Sequence, residues 1–186
     1  MTNHPSLTPQ KVMQNWVSSV IVKYNFCPFA RQEVEQNTIY YRVSTAINHD
    51  DAVMDMLDEC TTLDNESNRE TSLLIFENGF CDFGDFLDLV DLANAMLSVQ
   101  GYEGKYQLAN FHPDYVFADS DEQDAANYTN RAPFPTLHLI REQSMAQALQ
   151  SYDDPQSIPD NNIRLARRKG EAFWQQLLKD CHKKSG

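Results

Sequence analysis

Nine side chains in this sequence are of types that do chemistry and have neighbours able to set them to it. They are Cys27, Arg31, His112, Asp114, Asn127, Asn130, Arg131, His138 and Arg141. The stretch NFCPFAR, residues 25–31, puts a cysteine directly before a proline and an arginine four positions on. Pro28 suits the first position of a helix, which leaves Cys27 at or just before the N-cap. A thiol there meets free backbone N–H groups and the positive end of the helix dipole, and both favour the thiolate. Arg31, one turn on, favours it further. The opposite reading is a thiol sealed between Phe26 and Phe29, where loss of water raises its pKa and leaves it inert.

A second group lies in HPDYVFADSDEQDAANYTNRAPFP, residues 112–135. A connection this long within a compact domain is functional or disordered. The acidic middle suits disorder. Both ends mix aromatics, prolines and polar groups, as an ordered loop on a scaffold does. His112 and Asp114 follow a strand at its C-terminal end, where α/β sheets place ligands. If the next strand returns antiparallel, Arg131 and His138 come back to the same edge. An arginine beside a strand among apolar neighbours needs a partner for its fork of donors, so Arg131 and Arg141 call for an internal acid or a ligand carboxylate or phosphate.

The chemistry these types suggest is an enzyme site for a small anionic metabolite. Cys27 is the nucleophile or redox thiol, His112 or His138 the acid/base, and Arg31, Arg131 and Arg141 the anion clamps. Asp114, Asn127 and Asn130 read as ligand-binding groups or as turn residues, and His138 equally as a satisfied core histidine. The alternative is a non-catalytic ligand- or protein-binding module using the same cleft. A third is a loop that orders only on a partner protein. Cys27, His112 and His138 have the ligand types of a zinc site but no close-spaced pair, so no metal or cofactor is assigned. Asp82, Asp85, Asp88 and Asp91, every third residue, read as a solvated helical face rather than a magnesium site. Arg164, Arg167, Arg168 and Lys169 form the one basic patch.

Positioning these groups takes a scaffold, and apolar periodicity supplies it. Thr8 and Pro9 start a helix carrying Val12, Met13, Trp16, Val17, Val20, Ile21 and Tyr24 at helical spacing. Strands are expected at 38–44, 71–77, 105–111 and 136–142, the second buried on both faces. Helices are expected over 50–63, from Asp82 to Gln100 with Gly101 as a stop, over 143–151, and from about Asp160 to Cys181. In the last, Ile163, Ala166, Gly170, Phe173 and Leu177 are the expected buried stripe. The order α, β, α, β, α, β, β, α, α predicts a single α/β domain (α+β as alternative). Its mixed four-stranded sheet is covered by helices, in two or three layers, and the last two strands, with no helix between them, are free to pair antiparallel.

Composition bounds the function. The 186 residues suit one domain with a real core. A net charge of −12 argues against non-specific nucleic-acid binding and against an anionic membrane surface, and equally serves solubility. No apolar run reaches the length of a membrane span, and MTNHPSLTPQ lacks the pattern of an export signal, so the cytoplasm is the expected compartment. The four cysteines form no CxxC pair; Cys60 and Cys181 fall on apolar helical stripes as small core residues.

CPF is similar to a glutaredoxin active site, but Ala30 stands where the second cysteine belongs, and a helix precedes the motif where a strand should. Four motifs together, NFCPFA, YQLANFHPDYVFA, ANYTNRAPFPTLHLIRE and IPDNNIRLARRKG, resemble the family known as domain of unknown function 1415. The resemblance runs from the first helix to Gly170. It implies a small bacterial cytoplasmic protein and brings no catalytic residue or cofactor with it.

Overall fold

In a computed structural model that describes residues 7–183, four strands form one sheet: β1 (Ile39–Ser44), β2 (Thr71–Phe76), β3 (Tyr106–Phe111) and β4 (Thr136–Arg141). The reading of MTNHPSLTPQ for a leader falls mostly outside those residues. The spatial order is β1-β2-β4-β3. β1 and β2 are parallel, while β4 inserts between β2 and β3 and is antiparallel to both. The fold is α/β with a mixed sheet, and its last two strands do pair antiparallel. TSLLIF leaves no polar stretch to face water, and all six β2 residues are buried, as a strand covered on both faces requires. Its alternate residues part company: Leu74 and Phe76 enter one core, Leu73 and Ile75 the other.

One face carries α3 (His49–Asn65) and α4 (Phe83–Val99). Asn48 and Asp82 cap them by accepting from the N–H groups of Asp51 and Asp85, satisfying donors that a helix start leaves unpaired. Met56, Cys60 and Leu63 on α3, with Phe86, Leu89 and Ala93 on α4, close onto Leu74, Phe76, Leu137 and Leu139 of the sheet. Each fully buried Leu or Phe there stabilises the layer by about 2 kcal/mol. Asp82, Asp85, Asp88 and Asp91 are all exposed, in keeping with a solvated face.

A polar seam runs under α3. Arg42 on β1 reaches Glu59 at 3.1 Å and Asp55 at 2.6 Å, Ser44 donates to Asp55 at 2.6 Å, and Ser72 donates to Glu59. Glu59 is only 3% exposed, so this carboxylate depends on its partners for the hydration it has lost.

The opposite face is covered by α1 (Pro9–Trp16), a π-helical continuation over Val17–Val22, and α7 (Glu171–Cys181). Thr8 caps α1 by accepting from Lys11, with Pro9 in the first turn. Val12, Met13, Trp16 and Trp174 are the buried centre of this layer, which makes the fold three-layered. The remaining helices are α2 (Ala30–Gln36), α5 (Glu142–Leu149) and α6 (Ile158–Lys169).

The expected single helix from Asp160 to Cys181 is in fact two. Gly170 adopts φ +83° at the joint, a conformation that glycine takes at little cost and that ends a helix. The chain turns there, and Trp174 reaches back to donate to the Ala166 carbonyl at 2.9 Å. Gly170 is therefore a joint rather than part of a stripe, and the fully buried residues are Ala166, Trp174 and Cys181. Cys60 and Cys181 are buried as expected and Cys81 is exposed. Among the described residues no helix is long and apolar enough to cross a membrane.

Candidate functional site

Strand register builds the floor of a cavity. On the sheet face away from α3 and α4, Leu73, His138 and Ala109 stand in one rung, and Ile39, Thr71, Ile140 and Gln107 in the next. All seven line a cavity of about 410 Å³. Ala109, beside His138, leaves room above the sheet that a larger side chain would fill. The roof comes from Trp16 and Ile21, from the turn Phe26–Ala30, from Met145 of α5 and from the first turns of α6. Phe117, Thr129 and Asn130 of the long loop form the rim. Among the described residues no Asp, Glu, Lys or Arg lines this space.

His138 is the titratable group of the floor. Its Nε2 lies 2.7 Å from Thr71 Oγ1, and that hydroxyl donates to the Leu139 carbonyl at 2.5 Å. Removal from water holds the His138 pKa down at about 4, because the charged ring would lose hydration with no carboxylate nearby to replace it. At neutral pH it is a neutral imidazole.

Cys27 shares the cavity wall. The expected helix start is shifted: α2 begins at Ala30 with Phe29 as N-cap, and Pro28 sits in a turn. Cys27 therefore precedes the cap by two residues. Burial pushes the thiol pKa up, outweighing the backbone N–H groups of Phe29 and Ala30, which act to lower it. At rest the group is a thiol. Arg31 does not help to ionise it; this side chain is exposed and donates to the Val22 carbonyl at 3.3 Å.

The expected meeting of Cys27 with both histidines does not occur. His112 leaves the end of β3 on the α3/α4 side, fully buried against Phe83 and Phe86. Its Nε2 pairs with the Phe80 carbonyl at 3.0 Å and its Nδ1 accepts from the Asp114 N–H at 3.0 Å. Both ring nitrogens are thus spent on backbone, and burial lowers the pKa. Asp114 is exposed and contributes this turn through its backbone.

The arginines are also occupied elsewhere. Arg131 donates to the Tyr115 and Glu122 carbonyls at 3.0 and 2.8 Å and stacks over Tyr128. Arg141 donates to the Leu63 and Arg69 carbonyls and to the Tyr106 hydroxyl, beside Glu70 at 3.5 Å. Asn127 is fully buried and pins the loop, accepting from Phe117 and donating to the Asp121 carbonyl. Asn130 does reach the cavity, with its amide committed to the Asn110 carbonyl. Of the nine candidates, the structure gathers Cys27, Asn130 and His138. Among the described residues no three His, Cys, Asp or Glu side chains are grouped to hold a metal ion.

Thr71, Gln107 and Asn162 are polar cavity residues that the sequence reading passed over. Strand alternation held the signal for Gln107: Gln107, Ala109 and Phe111 share one face while Tyr106 and Leu108 take the other. Arg42 was legible by the argument applied to Arg131 and Arg141, an arginine amid apolar strand residues. No curated protein and no solved structure matches the chain. Residues 8–176 match the family described as "Protein of unknown function (DUF1415)", and the chain belongs to that family.

Proposed function

We propose that the protein binds a small, predominantly apolar molecule of no net charge in the cavity above β2, β3 and β4. The lining carries this reading: about 410 Å³ of space walled by aliphatic and aromatic side chains, whose polar members are all uncharged. The volume falls within the roughly 300–1,000 Å³ of small-molecule sites. An anion enclosed here would give up its hydration with no cation to replace it, at a cost of several kcal/mol. That supports a neutral ligand over the anionic one suggested by Arg31, Arg131 and Arg141. The chain's charge of −12 acts in the same sense at longer range.

Thermal unfolding with matched neutral and carboxylate aromatics tests the reading. Neutral compounds raise the melting temperature, and Ala109→Phe, which fills the space, removes the effect. Carboxylates that stabilise more than their neutral partners would overturn it.

A second reading, thiol chemistry on the bound molecule, is favoured by one observation: Cys27 and His138 line the same cavity. A neutral imidazole is a base, and the backbone N–H groups of Phe29 and Ala30 favour the thiolate once a proton leaves. Ethyl acrylate, a small neutral electrophile, then labels Cys27 ahead of the exposed Cys81, and His138→Gln slows the labelling. Labelling that favours Cys81 leaves binding as the sole role.

A further inference from the structure

We infer that the cavity selects molecules that offer a hydrogen-bond donor, a hydroxyl or an N–H, to Nδ1 of His138, and that Thr71 fixes Nδ1 as an acceptor. The inference rests on reading the cavity as a neutral small-molecule site and names the class of ligand it takes.

The argument is a count of hydrogens. A threonine hydroxyl has one. In Thr71 it goes to the Leu139 carbonyl, 2.5 Å away, so the 2.7 Å contact with His138 Nε2 requires the ring to donate. A neutral imidazole carries a single N–H. With that hydrogen on Nε2, Nδ1 presents a lone pair. No hydrogen bond joins Nδ1 to any described residue. Nor is it sealed, since the one buried side-chain N or O without a partner among the described residues is Asn110 Oδ1. The ring stands in the floor between Leu73 and Ala109, so its open edge faces the cavity.

The donors in the wall do not meet this acceptor. The Thr129 hydroxyl donates to the Ala126 carbonyl, the Trp16 ring N–H to that of Arg131, and one N–H each of Asn130 and Asn162 to those of Asn110 and Phe26, while among the described residues neither their second N–H nor the Gln107 amide bonds to Nδ1. A hydrocarbon or ether seated over His138 would bury the lone pair unpaired, and a molecule with a donor would satisfy it. The ligand class is therefore an uncharged alcohol, phenol or N–H heterocycle on an apolar body. Thr71 is a positioning residue, acting on the ligand through the tautomer of His138.

The test uses the full chain in two arms. Imidazole ¹⁵N shifts in the free protein at pH 7 report the His138 tautomer, and the expected form is Nε2–H. NMR titrations with 2-naphthol, 2-methoxynaphthalene and naphthalene report selectivity. The phenol binds at least roughly tenfold tighter than its methyl ether and moves the Nδ1 signal. Thr71→Val brings the ratio close to one, whereas Thr71→Ser keeps it. An Nδ1–H tautomer, or equal affinity for phenol and ether, overturns the inference while leaving the cavity as a binding site. If none of the three binds the folded protein, the cavity reading falls and the inference with it. Both wild-type arms decide the matter even if Thr71→Val does not fold.

Discussion

Arg167 on α6 grips both carboxylate oxygens of Asp124, with Nη2 at 2.7 Å and Nε at 3.1 and 3.2 Å, and so ties the helix that roofs the cavity to the loop that rims it. Asp124 also caps the short 3-10 turn Ala125–Thr129 by accepting from Ala126. The two interactions hold its carboxyl at about 2. A depressed carboxylate pKa contributes stability that is present above the ordinary value and lost as pH falls through the folded one. The clamp therefore persists throughout the neutral range and releases only near pH 2.

Because the Arg167 guanidinium is exposed, its loss alters local order more than global stability. In Arg167→Ala, amide exchange at residues 125–130 accelerates several-fold while the urea midpoint barely moves. Unchanged exchange there would show that something else holds the loop.

The seam beneath α3 behaves differently, because Glu59 is enclosed. Arg42→Met strands that carboxylate and costs on the order of 3 kcal/mol. The double variant Arg42→Met with Glu59→Met recovers much of the loss by removing the orphaned charge as well. Urea unfolding of the two proteins checks this, and a double variant no more stable than the single one would contradict it.

Burial that raises the Cys27 pKa should show in its reactivity. At pH 7, iodoacetamide, a polar reagent that an apolar cavity does not gather, labels the exposed Cys81 first and Cys27 at least several times more slowly. Peptide mapping of partly labelled protein reads the order. Cys27 modified first would mean a thiolate at rest.

His138 gives the pH dependence its sign. Its pKa falls from an ordinary 6.5 to about 4 on folding, so the unfolded chain takes the proton first. Its contribution is complete above about pH 6.5 and declines as pH falls toward 4, by ~1.4 kcal/mol per pH unit at most. Between pH 7 and 5 the wild type loses on the order of 2 kcal/mol more than His138→Gln. Parallel pH profiles for the two proteins would remove this role from His138.

Much of the scaffold was legible. TSLLIF and TLHLIRE announce strands by composition, Thr8-Pro9 and Asp82 announce helix starts, and Gly101 a stop; the structure repeats each within a residue or so. The joint at Gly170 was hidden because apolar residues continue at helical spacing through it, and spacing alone does not report a backbone turn. The site was harder still. Chemistry-bearing types pointed to charge, but Arg131 and Arg141 turn to backbone carbonyls within the fold. His112 and His138 follow and sit on adjacent strands, yet alternation sends their rings to opposite faces. The cavity depends on Ala109 being small beside His138 and on side chains from distant segments meeting over them, which local sequence does not report.

The most direct test of a neutral ligand compares 2-naphthol with 2-naphthoate at pH 7 by NMR titration, following the amides of Leu73, Ala109, His138 and Ile140. The expected result is that naphthol shifts these four and binds at least roughly tenfold tighter than the carboxylate, whose charge the lining cannot replace hydration for. Tighter binding of naphthoate, with shifts centred on the same four amides, would contradict it.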